Sequence, residues 1–110
     1  MADRQSPYDI PVEELARLRK EHADFVLLDV REPHEYEICN LDGVLIPLKS
    51  LPGRLGELDR GAHLVVHCRS GGRSAKAVEL LRASGFENAW NLQGGILAWI
   101  DRIDPSLTRY

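Results

Sequence analysis

The sequence has 110 residues, 44% of them hydrophobic and 28% charged, with a formal charge of -3. That size suits one compact domain with one core. The acidic balance excludes a general nucleic-acid binder, which needs a basic surface to meet phosphates. No run approaches the ~18 consecutive apolar residues of a membrane span, and the polar start at Met1 to Ser6 lacks the apolar core of a secretory signal. A cytoplasmic protein with neither nucleic acid nor membrane as partner is expected.

In chain order, residues 1–7 are polar and end in Pro7, reading as a flexible lead; residues 8–102 form the expected domain and 103–110 a tail. Tyr8-Asp9-Ile10 predicts a short strand. Pro11 then suits a helix start, and Val12, Leu15 and Leu18 recur on one face as far as Lys20. Phe25 to Leu28 is a continuous apolar run ending at Asp29, the pattern of a strand buried on both faces; Val44 to Ile46 and Leu64 to Val66 repeat it. Helical stretches fall between, at Glu32 to Glu37, Leu51 to Leu58 and Ser74 to Ala83, the last stopped by Gly85. Gly94 to Ile100 predicts a short buried helix that carries Trp99 into the core. Alternation of this kind builds an α/β fold, a mostly parallel sheet with helices on both faces and its sites beyond the carboxyl ends of the strands. Asp29, Cys68 and the turn after Asn91 fall there.

The informative segment is Leu64-Val65-Val66-His67-Cys68-Arg69-Ser70-Gly71-Gly72-Arg73-Ser74: a buried strand, a cysteine, a glycine-rich loop bounded by arginines, then a helix. Glycines let such a loop curl its N–H groups inward around an anion, and a helix start adds its positive dipole end. With Arg69 or Arg73 nearby, this setting favours the thiolate of Cys68, the nucleophilic form. A purely structural cysteine accounts for neither the arginines nor the paired glycines.

His67 is next to Cys68 in sequence, but side chains alternate along a strand, so it is expected on the opposite face and not as a base. His22, His34 and His63 show no ligand-like spacing, and no metal is expected. Cys39 has no glycine-rich loop or flanking arginine and reads as a packing residue rather than a resolving thiol. Lys76 lies on the polar side of its helix, where it could help recruit an anionic partner.

From about Tyr8 to Trp99 the chain resembles the rhodanese domain family. The matching stretches are Leu28-Asp29-Val30-Arg31-Glu32-Pro33-His34-Glu35-Tyr36, the Cys68 to Ser74 loop, and Gly85-Phe86 followed by Leu92-Gln93-Gly94-Gly95 and Ala98-Trp99. The resemblance implies a small three-layer fold around a five-stranded sheet. It also implies a catalytic Cys68 that accepts sulfur, with Arg69, Ser70, Gly71, Gly72, Arg73 and Ser74 holding the persulfide and substrate, and Asp29 and Arg31 in support. One departure is Cys39-Asn40-Leu41, where the family has glycine, histidine and isoleucine, a change that bears on packing. That variant and the ending Ile103 to Tyr110 look like the rhodanese module attached to adenylyltransferases of molybdopterin and thiamine biosynthesis, which delivers sulfur to a ubiquitin-like carrier. An adenylating domain does not fit within these 110 residues, so the chain is expected to be a free-standing relative or an excised module.

The expected reaction moves a sulfane sulfur from thiosulfate or a persulfide donor, through Cys68, to cyanide, a thiol or a sulfur-carrier protein, with no dissociable cofactor. Arg69 and Arg73 are expected to orient the donor's oxyanion. A non-catalytic binding or regulatory module is the alternative. A phosphatase or arsenate reductase is the other, disfavoured because Cys68 and Arg73 enclose four residues where tyrosine phosphatases have five.

Overall fold

The computed structural model describes residues 6–110, so the first five residues of the expected lead lie outside it. Its regular elements are β1 (Asp9–Ile10), α1 (Val12–Lys20), β2 (Val26–Asp29), α2 (Pro33–Ile38), β3 (Val44–Leu45), β4 (Leu64–His67), α3 (Gly72–Ala83), β5 (Ala89–Leu92) and α4 (Gly95–Arg102). The sheet order is β1-β5-β4-β2-β3, with every pairing parallel. β4 therefore lies at the centre, and all four of its residues are buried, as its unbroken apolar run requires.

Local chemistry sets the helix boundaries. α1 has Glu13 and Glu14 in its first turn and Arg17, Arg19 and Lys20 in its last, opposing charges to its own dipole. α2 starts with Pro33 behind a reciprocal cap in which the Glu32 N–H donates to Glu35 Oε1 at 3.0 Å. The helix expected at Leu51 to Leu58 is instead two 3-10 turns, Leu48–Gly53 and Leu55–Glu57. Pro52 removes a backbone donor, and Gly53 and Gly56 weaken helix propensity, so no α-helix propagates there.

Two cores flank the sheet. Leu28, Val30, Leu64, Val66 and Cys68 pack against Ala77, Val78 and Leu81 of α3 and against Leu51. On the other face Val65 and Leu92 meet Val12, Leu15 and Leu18 of α1 and Ile96, Trp99 and Ile100 of α4. Even and odd residues of β4 thus serve opposite layers, which places residues 66 and 68 together and sends 67 the other way. The tail expected at 103–110 packs back on this second core through Ile103, Leu107 and Tyr110. Among the described residues no helix is long and apolar enough to cross a membrane.

Candidate active site

Cys68 follows the last residue of the central strand, 1% exposed, beneath the loop that runs into α3. Its Sγ accepts from the Gly71 N–H at 3.1 Å and the Ser74 N–H at 3.4 Å. Gly71 makes this possible with φ of +111°, and a Cβ there would stand 3.3 Å from the Gly94 nitrogen. α3 begins at Gly72, two residues before the expected start at Ser74, so the sulfur lies against the first turn of the helix and shares its unpaired amides.

The opposite side of the loop is fixed by α4. The N–H groups of Ile96 and Leu97 donate to the carbonyls of Cys68 and Arg69 at 2.9 and 3.1 Å. Because those carbonyls are directed at α4, the loop's next amides are left to face the sulfur. Gly95 permits the approach: its φ is +63°, and a Cβ would come within 2.6 Å of both carbonyl groups. The sequence reading placed Gly94 and Gly95 at the start of a core helix and gave them no part in shaping the loop.

Ser74 Oγ lies 3.4 Å from Cys68 Sγ, yet it also donates to Asn91 Oδ1 at 2.5 Å. A hydroxyl has one proton, so Ser74 Oγ can donate to only one of the Cys68 sulfur, the Gly71 carbonyl and Asn91 Oδ1 at a time, and the Asn91 contact is the shortest. Asn91 Nδ2 in turn donates to Asp9 Oδ1 at 2.9 Å, which orients the amide. The sequence marked the turn after Asn91 but not this contact.

The two arginines each meet an acceptor within the protein. Arg73 donates both terminal nitrogens to Glu35, at 2.7 and 2.9 Å, and Arg69 gives its Nε and Nη2 to the main-chain oxygen of Tyr110 while its guanidinium stacks 5.1 Å from that tyrosine ring. An internal acceptor thus holds each fork. Ser70 and Gly72 stay exposed on the outer side of the loop, with nothing within 4 Å of where a Gly72 Cβ would stand.

Behind the rim, Asp29 and Arg31 form a fully buried pair: Arg31 Nε and Nη2 donate to the Asp29 carboxylate at 2.9 and 2.7 Å. Arg31 also donates to the carbonyls of Glu35 and Cys39 and to the Tyr110 hydroxyl, the last at 2.9 Å. That hydroxyl donates onward to Glu35 Oε2 at 2.8 Å. Tyr110 therefore connects the buried Asp29–Arg31 pair to the part-buried Glu35–Arg73 pair. Glu35 carries a signal in the Glu-Tyr stretch, while nothing in the sequence links Tyr110 to residues 41 and 79 positions away.

Charge follows these contacts. The Arg73 fork draws the Glu35 carboxyl down to about 2 against the opposing effect of burial. Burial lifts the Tyr110 phenol to about 12. Burial also works against the Arg31 charge, but the hydrogen bonds that Arg31 donates to Asp29 and Tyr110 more than offset it, and Arg31 stays firmly protonated. His67 is fully buried on the face away from the thiol. Its Nδ1 lies 3.4 Å from the Cys68 carbonyl oxygen and its Nε2 3.6 Å from Asp29 Oδ2. Burial takes His67 down to about 4 despite that carboxylate, so the ring is neutral at pH 7. Cys39 is buried with α1 and α4 residues in the core across the sheet from Cys68.

Residues 11–102 match the model of the rhodanese-like domain. Over 87 residues, 76% of this chain, the sequence is 38% identical to the probable adenylyltransferase/sulfurtransferase MoeZ of Mycobacterium tuberculosis, covering 22% of that protein. It is 34% identical to a sulfurtransferase of Allochromatium vinosum, covering 83% of this chain and 86% of the relative. Among solved structures, a rhodanese-like domain protein from Staphylococcus aureus superposes with a TM-score of 0.79 at 31% identity, covering 93% of this chain and 97% of that one. The chain spans only 22 to 40% of the first relatives it matches, several of which join an adenylyltransferase to a sulfurtransferase.

Proposed function

Since the chain belongs to the rhodanese-like domain family, we propose that it is a sulfurtransferase that carries a sulfane sulfur on Cys68 as a persulfide. The observation that carries this reading is the position of Cys68 Sγ at the end of the central strand, facing the amides of Gly71 and Ser74 at the start of α3. Donors preset around a sulfur favour its anionic form, in the attacking thiolate and again in the persulfide.

The transfer takes two displacements. The Cys68 thiolate attacks the outer sulfur of thiosulfate; the new S–S bond forms as the old one breaks, and sulfite leaves with the bonding pair. An acceptor nucleophile, such as cyanide or a thiol, then attacks the terminal sulfur of the persulfide, and Cys68 departs as thiolate. No outside oxidant or reductant is needed. A persulfide donor enters the same scheme with a thiolate as the leaving group.

Gly71 and Ser74 hold the sulfur through their amides, while Arg69, Ser70, Gly72 and Arg73 form the outer surface that a donor meets. Asp29 and Arg31 support the site through Tyr110 and Glu35, which hold Arg69 and Arg73. The likeness to adenylyltransferase/sulfurtransferases supports a protein acceptor of the sulfur-carrier type. Thiosulfate-to-cyanide turnover measured on the intact protein and on Cys68→Ser tests the reading. Thiocyanate formation by the first and none by the second is expected, and equal activity in both would refute it.

A further inference from the structure

Tyr110 touches both rim arginines and the buried pair behind them, directly or through one residue. Its main-chain oxygen takes two donors of Arg69, its ring lies under the Arg69 and Arg31 guanidinium groups at 5.1 and 5.8 Å, and its hydroxyl joins Arg31 to Glu35, which occupies Arg73. The parallel donors of a guanidinium fork are what a sulfuryl oxyanion needs. At this site both forks are committed to internal oxygens.

We infer that Tyr110 is a specificity-determining residue that holds the Arg69 fork away from small oxyanions, so that the Cys68 site favours a persulfide donor over a free sulfuryl dianion. This inference rests on the sulfurtransferase reading for the identity of the donor, but not for the competition between Tyr110 and an oxyanion. The loop amides still receive sulfur in either case, since they bind the sulfur that is transferred and not the group that leaves. Releasing Arg69 adds a cationic fork to the rim without altering Cys68, Gly71 or Ser74.

The test uses inorganic sulfate, which binds as an oxyanion and donates no sulfur. Alkylation of Cys68 by iodoacetamide is followed against sulfate concentration in the intact protein, Tyr110→Ala, Tyr110→Phe and Tyr110→Ala/Arg69→Gln. Tyr110→Ala keeps the main-chain oxygen that Arg69 meets but removes the ring beside Arg69 and the hydroxyl contacts to Arg31 and Glu35 that hold that oxygen in place. It should lower the half-protecting sulfate concentration about fivefold, the scale of one charge-assisted contact regained against competition. Tyr110→Phe keeps the ring over Arg69 but loses the hydroxyl anchors, so it should shift the same way by less. The double variant should return to the value of the intact protein or above it, because the gain depends on Arg69.

In the same set, the KM for thiosulfate should fall in Tyr110→Ala by a larger factor than any change in kcat. Unaltered or weaker sulfate protection in both Tyr110 variants would overturn the assignment, as would a gain that survives loss of Arg69. If Tyr110→Ala does not fold, Tyr110→Phe carries the comparison. Should sulfate protection shift as stated while no protein gains sulfur from any donor, the sulfurtransferase reading fails and the role of Tyr110 stands. Sulfur transfer with no shift in protection has the reverse meaning.

Discussion

The two cysteines are both free and both buried, Cys39 at 6% exposure and Cys68 at 1%, yet their surroundings share almost nothing. Cys39 ends a short helix, lies among aliphatic side chains, and contributes its carbonyl oxygen to Arg31. Cys68 ends the central strand and receives two amides at its sulfur. Burial and residue type are thus poor guides to a nucleophile. What separates the two is a backbone folded so that its donors converge on one sulfur.

The largest contrast to expect is between the two serine substitutions. Cys68→Ser should abolish thiosulfate-to-cyanide turnover, whereas Cys39→Ser should hold kcat within about twofold, since its neighbours lie across the sheet and its role is packing. Comparable losses in both, measured at equal folded fraction, would erase the distinction.

The frame beneath the loop is the next place to separate chemistry from support. Asp29→Ala leaves the Arg31 charge buried with no carboxylate partner, a change that costs about 3–5 kcal/mol. Urea unfolding should show it as a lower midpoint. A loss below about 1 kcal/mol would mean that the carbonyls of Glu35 and Cys39 suffice to hold Arg31.

The pH dependence follows from His67. Its folded value of about 4 lies below the ordinary 6.5, so between those limits the unfolded chain takes up a proton that the folded chain refuses. Stability from this group is complete above pH 6.5 and falls as pH drops toward 4, by about 3 kcal/mol in total. Stability curves of the intact protein and His67→Gln should therefore converge as the pH is lowered through this window. Parallel curves would mean that His67 does not resist protonation.

A smaller effect distinguishes neighbouring glycines. Gly71→Ala must place an L side chain at φ of +111° against the Gly94 nitrogen and should cost about 2 kcal/mol along with much of the sulfur loading. Gly72→Ala meets open space and should change stability by about 0.5 kcal/mol or less. Equal effects at the two positions would contradict the loop geometry.

How far the sequence reveals this arrangement depends on the range of each interaction. The central strands, the amphipathic α1 and the Cys68 loop are written in consecutive residues and were legible, whereas β3, expected to be buried on both faces, is an edge strand of two residues with Val44 49% exposed. The segment at Leu51 to Leu58 was not, because its apolar spacing suggested a helix that Pro52 and two glycines prevent. At the site, strand alternation correctly separated His67 from Cys68. The destination of the arginines could not be read, since Arg73 meets Glu35 from 38 positions away and Arg69 meets Tyr110 from 41. An arginine beside a reactive cysteine looks free for substrate until the fold supplies a nearer acceptor. Gly95 illustrates the same limit: its glycine pattern was visible, but not that it lets α4 reach the Cys68 and Arg69 carbonyls.

Intact mass after exposure to thiosulfate, recorded for the unaltered protein, Cys39→Ser and Cys68→Ser, tests the central claim most directly. One added sulfur atom on the first two, removed by cyanide, and none on Cys68→Ser is the result this account predicts. Sulfur retained by Cys68→Ser and lost in Cys39→Ser would place the persulfide on the wrong cysteine and contradict it.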